Sequence, residues 1–172
     1  MQTIVVATDG SEHARKAVTL AADLASKSDA RLVLVHVLLR GELTEDMRHM
    51  AEVEYHTSEG GKAPAPLVPL GRYPASIVPS DIARDPTPVL QSVGEQILKE
   101  AQQIAKDHGV TKVDSRIEDG DVVKRVLAVV EEVKADTLVT GSRGLSNLMG
   151  MLVGSVSHKL SNVSPVTCVS VR

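Results

Sequence analysis

The sequence predicts a doubly wound α/β domain: a five-stranded parallel sheet with helices on both faces. Three observations predict it. Short runs rich in Val, Ile and Leu are continuous rather than alternating in hydrophobicity, as strands covered on both faces must be. Segments of helical period lie between them. The two kinds of segment then alternate from one end of the chain to the other.

The first strand is read at Thr3 to Ala7. The helix after it places Ala14, Ala17, Val18, Ala21, Leu24 and Ala25 on one face and Arg15, Lys16, Asp23 and Lys27 on the other, and ends near Ser28. Arg31 to Leu39 is the second strand. A helix from about Pro88 carries Val93, Ile97, Ala101, Ile104 and Ala105 and stops at Gly109, a suitable C-terminal glycine. Val113 to Glu118 is more polar and suits a sheet edge. The next helix, Asp121 to Lys134, carries Val122, Val126, Val129, Val130 and Val133. Asp136 to Thr140 is the fourth strand, a helix lies between Gly154 and Val163, closed by Pro165, and Val166 to Val171 is the last strand. Parallel neighbours require right-handed crossovers, and such sheets bind ligands beyond the carboxyl ends of their strands.

The 172 residues form one domain, residues 1–172, long enough for one sizeable core. With no Phe or Trp, that core must be built from aliphatic side chains. A net charge of −3 and no basic run leave out the electrostatic footprint of nucleic-acid binding, and Tyr55 and Tyr73 alone make no stacking platform. No apolar run approaches the roughly 18 residues that cross a membrane, and the N-terminus lacks a signal peptide's basic region. One cysteine, Cys168, excludes a disulfide framework. A reducing, cytoplasmic compartment is expected.

From Gly41 to Pro88 the alternation lapses. This segment holds all eight prolines but one and is expected to be an insertion, with a polar helix at Leu43 to His56 followed by irregular chain. His49 and His56, seven apart, stand about two turns apart on such a helix, too far to share one metal.

The candidate chemistry follows the fourth strand: Thr140, Gly141, Ser142, Arg143 and Gly144, then nine residues, then Gly154, Ser155 and Val156. Glycines at a strand end allow positive φ and let backbone approach a ligand closely. Gly154 and Ser155 then open a helix, whose unpaired N–H groups and dipole attract anions. The separate residues are equally explained by a turn and an ordinary cap; their joint spacing points to a phosphate site. Neither G-x-x-x-x-G-K-[ST] nor a G-x-G-x-x-G after the first strand occurs, so a P-loop and a standard dinucleotide fold are excluded. The first strand ends in Ala7, Thr8, Asp9, Gly10 and Ser11, which in such a sheet flanks the same crevice. Asp9 there is suited to accept hydrogen bonds from a ribose or adenine. Asp9 and Glu12 are also spaced as an N-cap and its N3 partner.

The pattern Gly141-x2-Gly144-x9-Gly154-Ser155, with Val5-Val6-Ala7-Thr8-Asp9-Gly10-Ser11 and His36-Val37, resembles the universal stress protein family in its ATP-binding branch. The resemblance covers Met1 to Leu39 and Val89 to Arg172 and implies strand order 3-2-1-4-5 with ATP, carrying Mg2+, across the first and fourth strands. It implies that Asp9 contacts ribose or adenine, that Ala7 and Thr8 line the pocket, and that the Val37 main chain meets the adenine edge. Thr140, Gly141, Gly144, Gly154, Ser155 and Val156 would surround ribose and phosphates. Arg143 and Gly120 join that set, or point to solvent and make a turn, respectively. The insertion departs from the family.

The resemblance further implies a homodimer paired through the C-terminal strand; in the first of the readings below, a regulatory protein partner reads the nucleotide state. Three readings of function follow: an ATP-binding stress-response regulator with slow or no hydrolysis; an ATPase or autokinase; and a nucleotide-free interaction module. Phosphoryl transfer needs a positioned base. The nearest in sequence to the glycine pattern, His158, is expected on a helix surface.

Overall fold

The computed structural model describes residues 2–38, 87–144 and 154–172. In chain order these form β1 (Thr3–Ala7), α1 (Glu12–Ser28), β2 (Arg31–Leu38), α2 (Thr87–Asp107), β3 (Val113–Asp119), α3 (Val122–Glu132), β4 (Thr137–Gly141), α4 (Ser155–Val163) and β5 (Thr167–Val171). All strand pairs are parallel, in the order β3-β2-β1-β4-β5. The expected fold class and strand order are therefore those observed. The helix expected at Leu43 to His56 lies outside the described residues, as do the rest of 39–86 and the loop 145–153.

Two apolar layers hold the sheet. On one face Ile4, Val6, Leu32, Leu34 and Val139 meet Ala17, Val18, Ala21, Ala22 and Ala25 of α1 and Leu98, Ala101 and Ala105 of α2. On the other, Val5, Val33, Val35, Val37 and Leu138 meet Val126, Val129 and Val130 of α3 and Leu160 of α4. The alanine face of α1 lets it seat close to the strands, which is how a core without Phe or Trp reaches native packing. In β5 the side chains alternate between the faces: Cys168 packs on the α3/α4 side, Val169 and Val171 on the α1/α2 side. Cys168 is half-buried, because β5 is an edge strand.

The helix boundaries have local causes. Ser11 caps α1, its Oγ accepting from Ala14 N–H at 3.2 Å, so the cap is Ser11 and not Asp9. Asp121 caps α3 through Lys124 N–H at 2.9 Å. Gly109 closes α2 at φ +78°, its N–H on the Lys106 carbonyl.

β1 and β4 are also joined at their starts, where the Asp136 carboxylate accepts from Gln2 N–H at 2.6 Å and Thr3 N–H at 2.9 Å. The Thr3 and Gln2 amides hold its pKa below the ordinary 3.8. A carboxyl with a depressed folded pKa contributes stability above its unfolded pKa and loses it as pH falls through the folded one. Asp136→Asn is expected to be less stable at pH 7 in urea unfolding and to lose less than the parent between pH 5 and pH 2, by roughly the linked proton. Parallel pH profiles for the two proteins would refute this.

Candidate functional site

Register brings the candidate residues to one end of the sheet. Ala7 lies level with Val35 of β2 and Thr140 of β4, so β1 and β4 finish together while β2 continues through His36, Val37 and Leu38. Leu32 donates its N–H to Lys112 beside β3, whereas Val35 accepts from Thr8 N–H at 2.9 Å. Odd-numbered residues of β2 thus turn their main chain toward β1 and even-numbered ones toward β3. The main-chain groups of Val37 consequently face the line that β1 leaves after Thr8.

The turn after β1 is pinned at every polar group of Thr8. Its N–H binds Val35 O, its Oγ1 accepts from Gly10 N–H at 3.3 Å, and its carbonyl lies 2.9 Å from His36 Nδ1. Gly10 takes φ +78°, which only glycine adopts cheaply, and Asp9 Oδ1 accepts from Ser11 N–H at 3.0 Å. Ser11 Oγ then reaches the Arg143 carbonyl at 3.4 Å, tying the turn to the β4 exit.

The β4 exit approaches from the other side. A Cβ at Gly144 would sit 2.6 Å from Asp9 Oδ2, so the carboxylate lies against bare backbone there. A Cβ at Gly141 would meet Ala14 N and His13 C, both at 2.8 Å: this glycine admits the N-terminus of α1. Neither glycine takes positive φ, so close approach, not left-handed backbone, is what the structure uses at both. Gly154 N–H donates to Ser142 O at 2.6 Å and starts α4 with no side-chain cap. Among the described residues its virtual Cβ meets only ordinary contacts, 3.4 Å or more, on Ser142, Arg143 and Gly144. Ser155 and Val156 are exposed at that helix start. Ser142 is 2 % exposed, and its Oγ has no hydrogen-bond partner among the described residues. A buried orphan hydroxyl ordinarily costs about 1–3 kcal/mol.

Ala7, Thr8, Asp9, Thr140, Gly141, Arg143, Gly144, Gly154, Ser155 and Val156 are thus gathered at the β1/β4 crevice, with Val37 one strand away. Thr140 is buried and engaged from below, its Oγ1 3.2 Å from Ser157 Oγ, which also lies 2.7 Å from Ser170 Oγ. Arg143 is half-buried, and no ion pair to its guanidinium occurs among the described residues. Gly120 stands apart, after the edge strand β3, at φ +121°, a conformation that accounts for glycine there without a ligand. His158 is exposed on α4 beside Asn162. Sequence reasoning gave Ser11 and Ser142 no role of their own, although both stand inside the quoted motifs, and it did not single out Ser157 or Gly94. Their signals, single serines and one helical glycine, carry no spacing rule.

The whole chain, residues 1–172, matches the model of the universal stress protein family. The stress response protein NhaX of Bacillus subtilis is 28% identical over 172 residues, covering 98% of this chain and 96% of that protein. Among solved structures, a universal stress protein in complex with cAMP is 28% identical, with a TM-score of 0.61 over 99% of this chain and 97% of that one. UspA of Lactobacillus plantarum, 16% identical with a TM-score of 0.68 over 99% of this chain and 97% of that one, shares the fold. On the strength of the whole-chain match, and with the strand order and the glycine-lined crevice agreeing, this chain belongs to the universal stress protein family.

Proposed function

We propose that the chain is a single regulatory module of the stress response that binds ATP at the β1/β4 crevice and hydrolyses it slowly or not at all. One observation carries the reading: among the described residues, α4 begins without a side-chain cap at Gly154, directly bonded to Ser142, whose buried hydroxyl lacks a partner. A phosphate oxygen would satisfy both the first-turn N–H groups and that hydroxyl. The residues fit such a group. Ser155, Val156 and the Gly141 to Gly144 backbone would hold the phosphates, Asp9 a ribose hydroxyl, and the Val37 main chain the adenine edge. ATP when bound supplies a transferable phosphoryl group. Mg2+ would arrive on the phosphates; among the described residues no three acidic, His or Cys side chains are grouped to hold a metal.

A cAMP-bound relative at 28% identity supports an adenine nucleotide as the ligand class. The test is mass spectrometry of the small molecule that copurifies, followed by titration with ATP, cAMP and GTP and by phosphate release with and without Mg2+. ATP bound at least about tenfold tighter than GTP, a difference of about 1.4 kcal/mol, is the expected result. Equal affinities refute the Val37 contact, tighter cAMP reassigns the ligand, and fast Mg2+-dependent release makes the protein an ATPase. Among the described residues no helix is long and apolar enough to cross a membrane, which accords with a module acting in the cytoplasm, where a regulatory protein partner would read its state.

The module is further proposed to be a homodimer through β5. Its two sheet edges differ. β3 carries Asp114, Arg116 and Glu118, paired with Arg31, Glu132 and Arg125, and such charges blunt an edge against association. β5 carries no charge. Because Val171 O accepts from Ser142 N–H, the main chain of Thr167, Val169 and Val171 turns to β4 and that of Cys168 and Ser170 to the open edge. Ser170→Pro, which deletes an outward donor, should give monomers in sedimentation, while Ser170→Ala remains dimeric. A monomeric parent at micromolar concentration would sink the proposal.

A further inference from the structure

We infer that His36 is a positioning residue for the nucleotide site: its Nδ1–H, donated to the Thr8 carbonyl, fixes the turn that carries Asp9. This rests on the proposed function only for the ligand; the positioning itself is read from the free protein. A carbonyl can only accept, so at 2.9 Å the proton of this bond belongs to Nδ1. Thr8 O is the first main-chain carbonyl after β1, and with Val35 O on Thr8 N–H it hangs the turn on β2 by two successive residues. Those bonds set Thr8 Oγ1 for Gly10 N–H and Asp9 Oδ1 for Ser11 N–H.

The ring is held from above by α2. A Cβ on Gly94 would lie 2.8 Å from His36 Cδ2, so the helix rests directly on the imidazole, which is 8 % exposed. Gly94 is therefore explained by the histidine beneath it. The helix that follows the 39–86 segment is in this way mechanically joined to the Asp9 turn. Burial is the largest influence on the ring and holds its pKa below 6.5, against the opposing pull of the Thr8 bond and the Asp9 carboxylate. Among the described residues, Asp9 is the charged group that acts on it. On α2, Glu95 and Lys99 are exposed; on β3, Arg116 and Glu118 are engaged with Glu132 and Arg125 of α3. Acid would add a proton at Nε2 and leave the Nδ1–H bond in place, so it acts by charging a ring that burial keeps neutral, and the turn should loosen as the charged ring leaves its seat.

Two variants separate positioning from bulk. His36→Asn keeps an amide nitrogen near the Nδ1 position but does not titrate; His36→Leu keeps volume and removes the donor. In nucleotide-free protein, amide hydrogen exchange at Gly10 and Ser11, corrected for intrinsic pH dependence, should quicken about tenfold in His36→Leu. His36→Asn should stay within about threefold of the parent at pH 7.5. Amides of Val5 and Val33 should be unmoved. Affinity for cAMP, a phosphodiester that does not titrate in this range, and for ATP should follow the same order. Between pH 7.5 and 5.5 the parent should lose protection and affinity, and His36→Asn should stay flat. A folded His36→Leu with parental exchange overturns the inference, as does a His36→Asn that behaves like it. Should His36→Leu fail to fold, a His36→Asn that keeps the parent's pH dependence overturns it alone. If the parent binds neither nucleotide, the proposed function falls while the exchange data still decide the role of His36.

Discussion

Ser155→Glu is expected to abolish nucleotide binding, by at least about a hundredfold or 2.7 kcal/mol, without unfolding the protein. Ser155 is the first residue of α4 and is exposed, so a longer side chain meets no core. A carboxylate in a helix's first turn is itself favourable by about 0.3–1 kcal/mol, because it faces the positive end of the dipole. The melting temperature should therefore hold or rise slightly. The same charge sits where the phosphates are proposed to lie and competes with them for the first-turn N–H groups. Stability and affinity are driven in opposite directions by one substitution, which a general loss of structure cannot imitate. Thermal unfolding and ATP titration at fixed ionic strength are the measurements. Parental affinity in the folded variant would place the phosphates away from α4.

Much of this arrangement is legible in the sequence because it obeys a period. Continuous Val-rich runs mark β1, β2 and β4, and the alanine stripe marks α1, to within one or two residues of their ends. Strand order came through family resemblance, since periodicity says which segments are strands but not which are neighbours. The crevice was legible as a spacing, Gly141, Gly144 and Gly154, and the structure gathers it with Asp9. The reasons for the individual residues were not. Asp9 reads equally well as a cap until Ser11 is seen capping α1 one turn ahead of Ala14. His36 reads as an interruption of an apolar run until its ring is found under Gly94 and on Thr8. Ser142 is silent because an orphaned hydroxyl is a property of its surroundings. His36 depends on contacts across 28 or more residues and Ser142 on a contact that is missing, and neither leaves a local trace; the choice between Asp9 and Ser11 is local, but spacing alone admits both.

The three glycines that carry the pattern should separate under substitution by alanine, with Gly141→Ala the most damaging. Its new Cβ would lie 2.8 Å from Ala14 N and His13 C, both backbone atoms inside the first turn of α1. Backbone in a helix cannot rotate aside, so α1 must move off β4 and disturb the layer of Ala17, Val18 and Ala21. Overpacking of this kind costs about 1–3 kcal/mol, and a clash with two main-chain atoms belongs at the upper end. For a chain of this size that is a fall of about 6–12 °C in melting temperature, at about 2–4 °C per kcal/mol. At Gly144 the conflict is with Asp9 Oδ2, the far end of a flexible side chain, at 2.6 Å. The carboxylate can swing away, so Gly144→Ala should keep the fold and weaken ATP binding, because Asp9 leaves its place. Gly154→Ala meets nothing nearer than 3.4 Å among the described residues and should unfold no more readily than the parent. Circular dichroism melts of the three variants decide the order. If Gly144→Ala loses as much stability as Gly141→Ala, the two glycines serve packing alike, and the contact between Gly144 and Asp9 has no part in the site.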